Sequence, residues 1–524
     1  MKWKVLPKKS NDPVEQLLIN RGIKRQEVEF FNPNISSYEK DLKISGIEKA
    51  SKRILQAIEK NELIIVYGDY DVDGVCSTAI LYKALTSLGA KILPYIPHRE
   101  KEGYGLSKIG LEFAKNSGAT LVITVDNGIV ALEQARFAKN IGLDLIITDH
   151  HLPLDEKPEA YAIVHSTQMC GAAVAWCLIR EIINKDLAND LLQFVAIATV
   201  CDLIPLVGLD RAFVVEGLRV LNKTTNLGLL SLINECGITL GNIGSYEIGH
   251  ILGPRINAIG RLEHAIDALR LLCTKDPLKA KKLAKLLCET NTTRQQMTSD
   301  AIEQARFLVD KKNNIHILSS HDWSPGIIGL IAGRITEEFY RPTIAISIGE
   351  TVSKGSARSI DGVNIVEVIR KHSDILIDIG GHPGAAGFSI LNENIDTFKK
   401  KLEDYILDLP NGVEKVLEID AEVEVKDLDK DLVKNLEKFE PFGFGNPRPI
   451  FATYNMEVSD VKTVGQGKHL KFKANGIDVI AFGMGDLNAL LQDGQQIALA
   501  YAPEIDTYNG FEKLQLKVKD IKIS

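Results

Sequence analysis

Apolar residues come in short unbroken runs through the first third of the chain. Leu63–Tyr67 (LIIVY), Ile92–Ile96, Leu121–Val125 (LVITV) and Leu143–Thr148 (LDLIIT) each read as a strand buried on both faces. Helical spacing fills the gaps at Thr78–Leu88, Ser107–Ser117 and Leu132–Ile141, after an earlier helix over Ile47–Lys60. This alternation predicts a parallel sheet covered on both sides, an α/β domain of the doubly wound type. Before about Asn34 the chain reads as a small helical lead-in. From about Cys170 to Asp310 the pattern turns helical, and Pro277–Val309 has few breakers, which predicts one long connecting helix. A second α/β unit starts at Ile315, with strands at Ile315–Ser319, Thr343–Ile348, Ser353–Arg358 and Phe388–Leu391 and a helix at Gly326–Glu338. From Val416 onward short runs alternate, among them Lys468–Lys473, Ile477–Phe482, Gln496–Tyr501 and Leu514–Val518, as in a small barrel of the OB kind. The expected division is a lead-in (1–45), a first α/β domain (46–205), a helical region with the connecting helix (206–312), a second α/β domain (313–408) and a barrel (416–524).

Three of the strands run straight into acids or histidines. LIIVY leads to Asp69, Asp71 and Asp73 within GDYDVDG, LVITV to Asp126, and LDLIIT to Asp149-His150-His151; Asp202 follows the helical run Leu191–Val200. Ligands of an open parallel sheet bind beyond the carboxyl ends of its strands. Carboxylates converging there repel one another unless a cation is bound. Carboxylate oxygen suits hard divalent ions, and added imidazole shifts the preference toward manganese-like ones. Two such ions about 3.5–4 Å apart would clamp a phosphate and generate hydroxide. The bland readings are weaker in combination. An Asp after a strand is commonly the N-cap of the next helix, but that does not account for all four groups. An EF-hand calcium loop needs Glu at its twelfth position, and counting from Asp69 that position is Ile80.

Composition narrows the field. The 524 residues carry 62 Lys and Arg against 69 Asp and Glu, a formal net charge of −7, so the chain as a whole is not a basic polyanion trap. A local basic groove on an acidic body remains open. The basic start MKWKVLPKKS lacks the apolar core of a signal peptide. The longest nearly apolar run, Leu191–Cys201, falls well short of the ~18 residues of a membrane span. Seven scattered cysteines without a CxxC read as reduced thiols of a cytoplasmic protein with no membrane association.

GDYDVDG, VDNG, DHH and the later Asp202 resemble the motifs of the DHH phosphoesterase superfamily. GPRINAIGR (253–261), SPGIIGLIAGRI (324–335), GSARS (355–359), GGHPGAAGFS (380–389) and EPFGFGNPRPIF (440–451) resemble, in order, segments of the RecJ-type, DHHA1-containing branch with its OB domain. That resemblance implies a metal-dependent exonuclease that degrades single-stranded DNA from the 5′ end to 5′-mononucleotides in recombination and repair. It also implies Mn²⁺ or Mg²⁺ as cofactor, and a helicase and a single-strand-binding protein as partners. The rival readings are an oligonucleotide or cyclic-dinucleotide phosphodiesterase, which would lack the barrel, and a degenerate replication-fork scaffold, which would have lost ligands that are all present here.

The same resemblance maps metal ligands onto Asp71, Asp73, Asp126, His150 and Asp202, with Asp69 as a further candidate. Asp126, between the flanking clusters, is the candidate to bridge two ions. His151 would touch the scissile phosphate or act in acid–base chemistry, or else be a hydrogen-bonding support for a ligand. Arg255, Asn257 and Arg261 fall in the GPRINAIGR segment; the two arginines would face the phosphate or, in the bland reading, form surface ion pairs. Ser356 and Arg358 lie two apart in a strand and so share a face, suited to a terminal phosphate. Gly381, His382 and Gly384 would let a substrate backbone come close. Asn291 and Arg294 on the long helix are further candidates. In the barrel, Lys468, Lys471, Lys473, Lys517 and Lys519 are candidates for a nucleic-acid groove, with Tyr454, Tyr501 and Tyr508 as stacking partners. From Asn446 to Ser524 there are nine basic and nine acidic residues, so the lysines count only if they cluster.

Overall fold

The computed structural model describes residues 1–24, 28–99, 102–405, 414–507 and 510–523. The lead-in opens with a strand, β1 (Lys2–Val5), rather than a helix. Its short KWKV alternation gives little local signal, and its partner is more than 400 residues away. Helices Pro13–Asn20 and Val28–Phe31 follow.

The first α/β domain holds β2 (Leu63–Tyr67), β3 (Lys91–Tyr95), β4 (Ala119–Val125), β5 (Asp144–Asp149) and β6 (Ala162–His165). They pair in the order β3-β2-β4-β5-β6, every pair parallel. Alternate residues of β2 enter two cores. Ile64 and Val66 pack with helices Val72–Ser87 and Gly171–Ile179. Ile65 and Tyr67 pack with helices Lys108–Asn116 and Leu132–Asn140. Strand order reverses between β2 and β4, which opens a crevice at their carboxyl ends, as in other doubly wound sheets. The helix after β2 starts at Val72, six residues before the apolar pattern begins at Thr78. Asp71 caps it by accepting the N–H of Gly74 at 3.0 Å, so the acidic loop is itself the first turn.

Helices between residues 171 and 273 form a layer beside this domain, and the 32-residue helix Pro277–Leu308 leaves it. At 1.5 Å per residue that helix spans about 48 Å. It leads into a mixed sheet of β7 (His316–Ser320), β8 (Thr343–Ser347), β9 (Val352–Arg358), β10 (Leu376–His382) and β11 (Ala385–Leu391), ordered β10-β11-β9-β8-β7. The polar, glycine-containing β10 carries no strand pattern in the sequence; pairing with β11 holds it at the exposed edge.

The last unit begins with β12 (Val416–Ile419), which pairs parallel with β1, and β13 (Ala421–Glu422). Then β14 (Phe451–Val464), β15 (His469–Ala474), β16 (Ile477–Ala481), β17 (Gln496–Asp506) and β18 (Lys513–Ile523) close into a five-stranded barrel through the β14–β17 pairing. Leu17 and Leu18 of the lead-in are buried in the barrel's core, and Phe30 and Phe31 pack against Phe439. The barrel is docked on the helical layer. The buried Arg211 donates to the carbonyls of Phe30, Glu440 and Pro441, and Leu206 N–H donates to Phe444 O at 2.7 Å. Among the described residues no helix is long and apolar enough to cross a membrane.

Candidate active site

Every acid and histidine singled out in the first domain comes to the crevice. Asp69 and Asp71 leave the end of β2, Asp126 the end of β4, and His150 and His151 the end of β5; Asp202 caps the C-terminus of helix Lys185–Cys201. His150 Nε2 lies 3.1 Å from Asp126 Oδ1 and 3.6 Å from both Asp73 Oδ2 and Asp202 Oδ2. Among the described residues, three overlapping sets bring ligand atoms within 4.8 Å of one another: Asp69, Asp71 and Asp126; Asp73, His150 and Asp202; Asp126, His150 and His151. Asp126 belongs to two of them. Its backbone is left-handed, with φ at 63°, a conformation that Asp tolerates better than most residues.

Local structure aims these groups. Asp73 accepts the N–H of Gly171 at 2.6 Å and of Ala172 at 2.7 Å, so both its oxygens are fixed by the N-terminus of helix Gly171–Ile179. A β-carbon at Gly171 would stand 2.7 Å from that of Asp126, which ties this approach to glycine. Asp149 accepts from Ile129 N–H, from the N–H of His150 and His151, and from His151 Nδ1 at 2.8 Å. It is a support for His151 that sequence reading did not assign. His151 also stands 3.1 Å from the Tyr104 hydroxyl, which reaches Asp126 O at 3.2 Å. Tyr104 was missed too, because a lone aromatic in a loop carries no periodic signal.

The electrostatics call for a cation. Burial, then Asp73, Asp71 and Asp69, push the Asp126 carboxyl well above the usual range. Burial and Asp71 do the same to Asp69, and burial with Asp73 and Asp71 moves Asp202 up to about 8. Burial lowers the His150 imidazole despite the nearby Asp73, so it is neutral and fit to ligate. The buried Oδ1 atoms of Asp69 and Asp126 have no hydrogen-bond partner. Orphaned carboxylate oxygens beside a neutral imidazole suit divalent metal.

Opposite the acids gather cations. The Arg261 guanidinium is lowered to about 10 by burial and by Arg99, Arg294 and Arg358 around it. It donates to Gly326 O of the second domain at 3.0 Å, at a contact where a Gly326 β-carbon would come within 2.3 Å of Arg261 O. Arg99 lies over the Tyr70 ring at 4.9 Å and was not anticipated. Among the described residues none of these four arginines forms an ion pair with a carboxylate. Arg358 donates to Ser356 Oγ and to Ala357 O, and both side chains lie under Gly329 of helix Ile328–Phe339. Arg358 pairs with Ala385, and Ala385 with His382, so the three form one row on one face across three strands. Gly381, His382 and Gly384 are exposed on that hairpin and do not join the acid cluster. Asn257 accepts the N–H of Val72 at 3.1 Å and so braces the acidic loop. Arg255 turns the other way, to Ile251 O and Cys288. Asn291 is buried, and Arg294 keeps its Nε buried without a partner.

A cavity of about 970 Å³ lies between the helical layer and the barrel, bordered by Leu203, Tyr246, His250, Phe444, Arg448, Lys517 and Lys519. Lys517 and Lys519 both border this cavity. Lys468 sits in an exposed turn, and Lys471 and Lys517 flank the buried Ile480 in one row across three strands. Lys473 is tied to Asp460 at 2.9 Å. His469, Lys471 and Lys473 do alternate with the buried Leu470 and Phe472. The stacking candidates need correction. Tyr501 is fully buried with its hydroxyl on Thr453, because its strand position points into the barrel. Tyr454 faces Trp3 at the other end, and Tyr508 lies outside the described residues. Tyr246 and Phe444, each 61% exposed, border the cavity instead.

Comparison with known proteins adds matches of three kinds. Family models described as the DHH family N-terminal domain, the DHHA1 domain and the RecJ OB domain match residues 63–199, 312–408 and 419–520. The chain is 35% identical to the single-stranded-DNA-specific exonuclease RecJ of Bacillus subtilis, over 98% of this chain and 68% of that one. It is 31% identical to the protein of the same name from Haemophilus influenzae, over 91% and 90%. Among solved structures it is similar to Thermus thermophilus RecJ in complex with Mn²⁺, with a TM-score of 0.88 and 28% identity, covering 100% of this chain and 80% of that one. It is also similar to an exonuclease RecJ bound to manganese, with a TM-score of 0.63 and 33% identity, over 70% and 96%.

Proposed function

The chain belongs to the RecJ family of single-stranded-DNA-specific exonucleases, and on that premise we propose a metal-dependent exonuclease that shortens single-stranded DNA from its 5′ end and releases 5′-mononucleotides. The observation that carries this reading is a cluster of carboxylates and imidazoles with four neighbouring arginines that, among the described residues, form no ion pair with a carboxylate. Asp69, Asp71, Asp73, Asp126, His150 and Asp202 would hold two divalent ions, Mn²⁺ or Mg²⁺, which when bound polarise the phosphate and lower the pKa of water. Asp126 would be shared between them. Asp149 orients His151 and stabilises its imidazolium: burial lowers the His151 pKa, but the Asp149 contact outweighs it and the net shift is upward. His151 is therefore suited to contact the scissile phosphate or to pass a proton to the departing oxygen. Arg261 and its neighbours offset the charge that builds on the phosphate.

Metals alone cannot tell one chain end from the other, since every phosphodiester looks alike to them. Ser356 and Arg358, with the His382 hairpin beside them, would hold the terminal 5′-phosphate. The rest of the strand would run past Asp202 into the cavity toward the barrel, where Tyr246 and Phe444 offer rings to unpaired bases and Arg448, Lys517 and Lys519 meet phosphates. Within this proposal the domains divide near residues 45, 205, 312 and 416, and the enzyme works in recombination and repair in the cytoplasm beside a helicase and a single-strand-binding protein.

The test uses 5′-labelled single-stranded DNA, the same sequence as duplex, and a dinucleotide, each with Mn²⁺, Mg²⁺ or chelator. Metal-dependent release of labelled mononucleotide from the single strand is expected. Equal turnover of the dinucleotide alone would favour a short-oligonucleotide phosphodiesterase.

A further inference from the structure

Asp202 belongs to the acid cluster, with its Oδ2 3.6 Å from His150 Nε2. The residue joined to it, Leu203, borders the cavity beside the barrel. Helix Lys185–Cys201 ends here, with Asp202 as its C-cap and Leu203 in the left-handed region at φ 56°. Ile204 N–H closes the turn on Thr199 O, five residues back, at 3.2 Å. Among the described residues, five other helices end on the same bond: Ile23 to Leu18, Glu62 to Ala57, Ala90 to Leu85, Leu143 to Ala138 and Ile238 to Ile233. Their left-handed residues are Gly22, Asn61, Gly89, Gly142 and Gly237. Glycine takes that conformation freely and Asn at small cost, whereas a leucine sets its β-carbon against the following carbonyl. Packing does not explain the choice either. Leu203 is 66% exposed, while Ile204 beside it packs against the core of the first domain. The segment is pinned on the barrel side, where Leu206 N–H donates to Phe444 O and a β-carbon at Gly443 would come within 2.6 Å of Leu206 Cδ1. A strained, solvent-facing apolar side chain is thus kept where stability alone favours glycine, and such strain gathers at functional sites.

The surroundings indicate what Leu203 meets. The same cavity is bordered by the exposed rings of Tyr246 and Phe444 and by Arg448, Lys517 and Lys519. Apolar surface beside cations suits the face of an unpaired base and its phosphate. A base inside a duplex has both faces stacked on its neighbours and offers neither. We propose that Leu203 packs on the base of the nucleotide just 3′ of the scissile phosphate, so that an unstacked base seats next to Asp202. The 3′ side follows from the cavity, since the released nucleotide lies toward Arg358 and the remaining strand toward the barrel. This rests on the exonuclease reading above and adds to it a residue that senses the single-stranded state at the metal site. Leu203 has no polar side-chain atom, so it contacts any of the four bases alike and takes no part in proton transfer.

The test measures release of the first mononucleotide by the full chain with Mn²⁺, in single turnover, from two 5′-phosphorylated single strands. One is ordinary; the other carries an abasic tetrahydrofuran residue second from the 5′ end. Wild-type protein should cut the abasic strand roughly fivefold to tenfold more slowly, the scale of partly burying one leucine side chain. Leu203→Ala and Leu203→Gly should cut the ordinary strand more slowly by a similar factor, and for both the gap between the strands should close. A structural role would slow the two strands equally and leave the gap. Leu203→Gly should also melt no lower than the wild type, because glycine relieves the left-handed strain. An abasic residue placed ten positions further along should leave all three proteins' first release unchanged. A wild type indifferent to the abasic residue, a gap that persists in Leu203→Gly, or a lower melting temperature for that variant would overturn the proposal. The wild-type comparison alone can overturn it even where a variant folds poorly. Release of mononucleotides without the gap would leave the exonuclease reading standing; no release from either strand would overturn both.

Discussion

At the scale of single residues the site is a set of groups that cannot all be content without a cation. Asp126 shows this most sharply, being buried, left-handed and 3.1 Å from His150 with an orphaned oxygen. Asp126→Ala should cut metal-dependent hydrolysis by on the order of 10³-fold or more, the scale of losing a buried electrostatic contact to the transition state. The fold should persist, because relief of carboxylate repulsion offsets the lost contacts. Binding of single-stranded DNA in chelator, measured by fluorescence anisotropy, should be unchanged. Substantial Mn²⁺-dependent activity in this variant would remove Asp126 from the centre. A second residue has a stability signature and no part in the site. Asp210 is buried on helix Gly208–Leu221 with an unpartnered Oδ1, and burial raises it to about 8. The unfolded chain ionises this group near its ordinary value of about 3.9. Folding is therefore increasingly penalised as pH rises from about 4 through about 8. Asp210→Asn should raise the melting temperature by an amount that grows over that window; a gain independent of pH would contradict this. At this scale the sequence was most informative where type and spacing coincide, as in GDYDVDG and DHH. It could not reveal Asp149 as a support or Tyr501 as core, because both depend on which face of a strand meets which neighbour.

At the scale of elements, the short apolar runs located most strands and helices of the first domain within a residue or two. The misses have a common cause. β1 and β10 exist through partners far along the chain or across a hairpin, and β10 is too polar to announce itself. The start of helix Val72–Ser87 was hidden because its first turn is built from acids held by hydrogen bonds rather than by an apolar face. Pairing also sharpens the end-recognition proposal. Arg358, Ala385 and His382 share a row, while the Ser356 row runs through Gly387 and Gly380, which present no side chains on that side. Arg358 brings a guanidinium to that face, beside Gly329 of helix Ile328–Phe339. A charge-assisted contact of this kind contributes on the order of 1.5–3 kcal/mol. Wild-type protein should accordingly prefer 5′-phosphorylated over 5′-hydroxyl single strands by roughly tenfold to hundredfold. Arg358→Ala should lose most of that preference while still cutting slowly, as read from initial rates on the two substrates. Full retention of the preference would shift the pocket toward Arg261.

At the scale of the whole molecule, the barrel is not an appendage that can be cut away cleanly. It shares its core with Leu17 and Leu18 of the lead-in, pairs β12 with β1, and holds Arg211 of the helical layer through backbone carbonyls. None of this docking was legible in the sequence, because each contact joins segments hundreds of residues apart. Removing residues from Val416 onward would strip apolar surface from the lead-in and confuse lost binding with lost folding. Point changes on the cavity wall separate the two. Lys517 and Lys519 border the cavity without belonging to the barrel core. If both meet phosphates, each releases counterions, and for single strands the slope of log K against log salt is about −0.7 per contact. Lys517→Ala with Lys519→Ala should therefore flatten that slope by about 1.4 for a long single strand, measured by anisotropy in chelator over a salt series. Cleavage of a very short oligonucleotide that ends before the barrel should change little, since the acid cluster and its arginines are untouched. An unchanged slope would mean that the strand leaves the crevice by another route. Equal loss on short and long substrates would mean that the lysines act by positioning the barrel rather than by touching DNA.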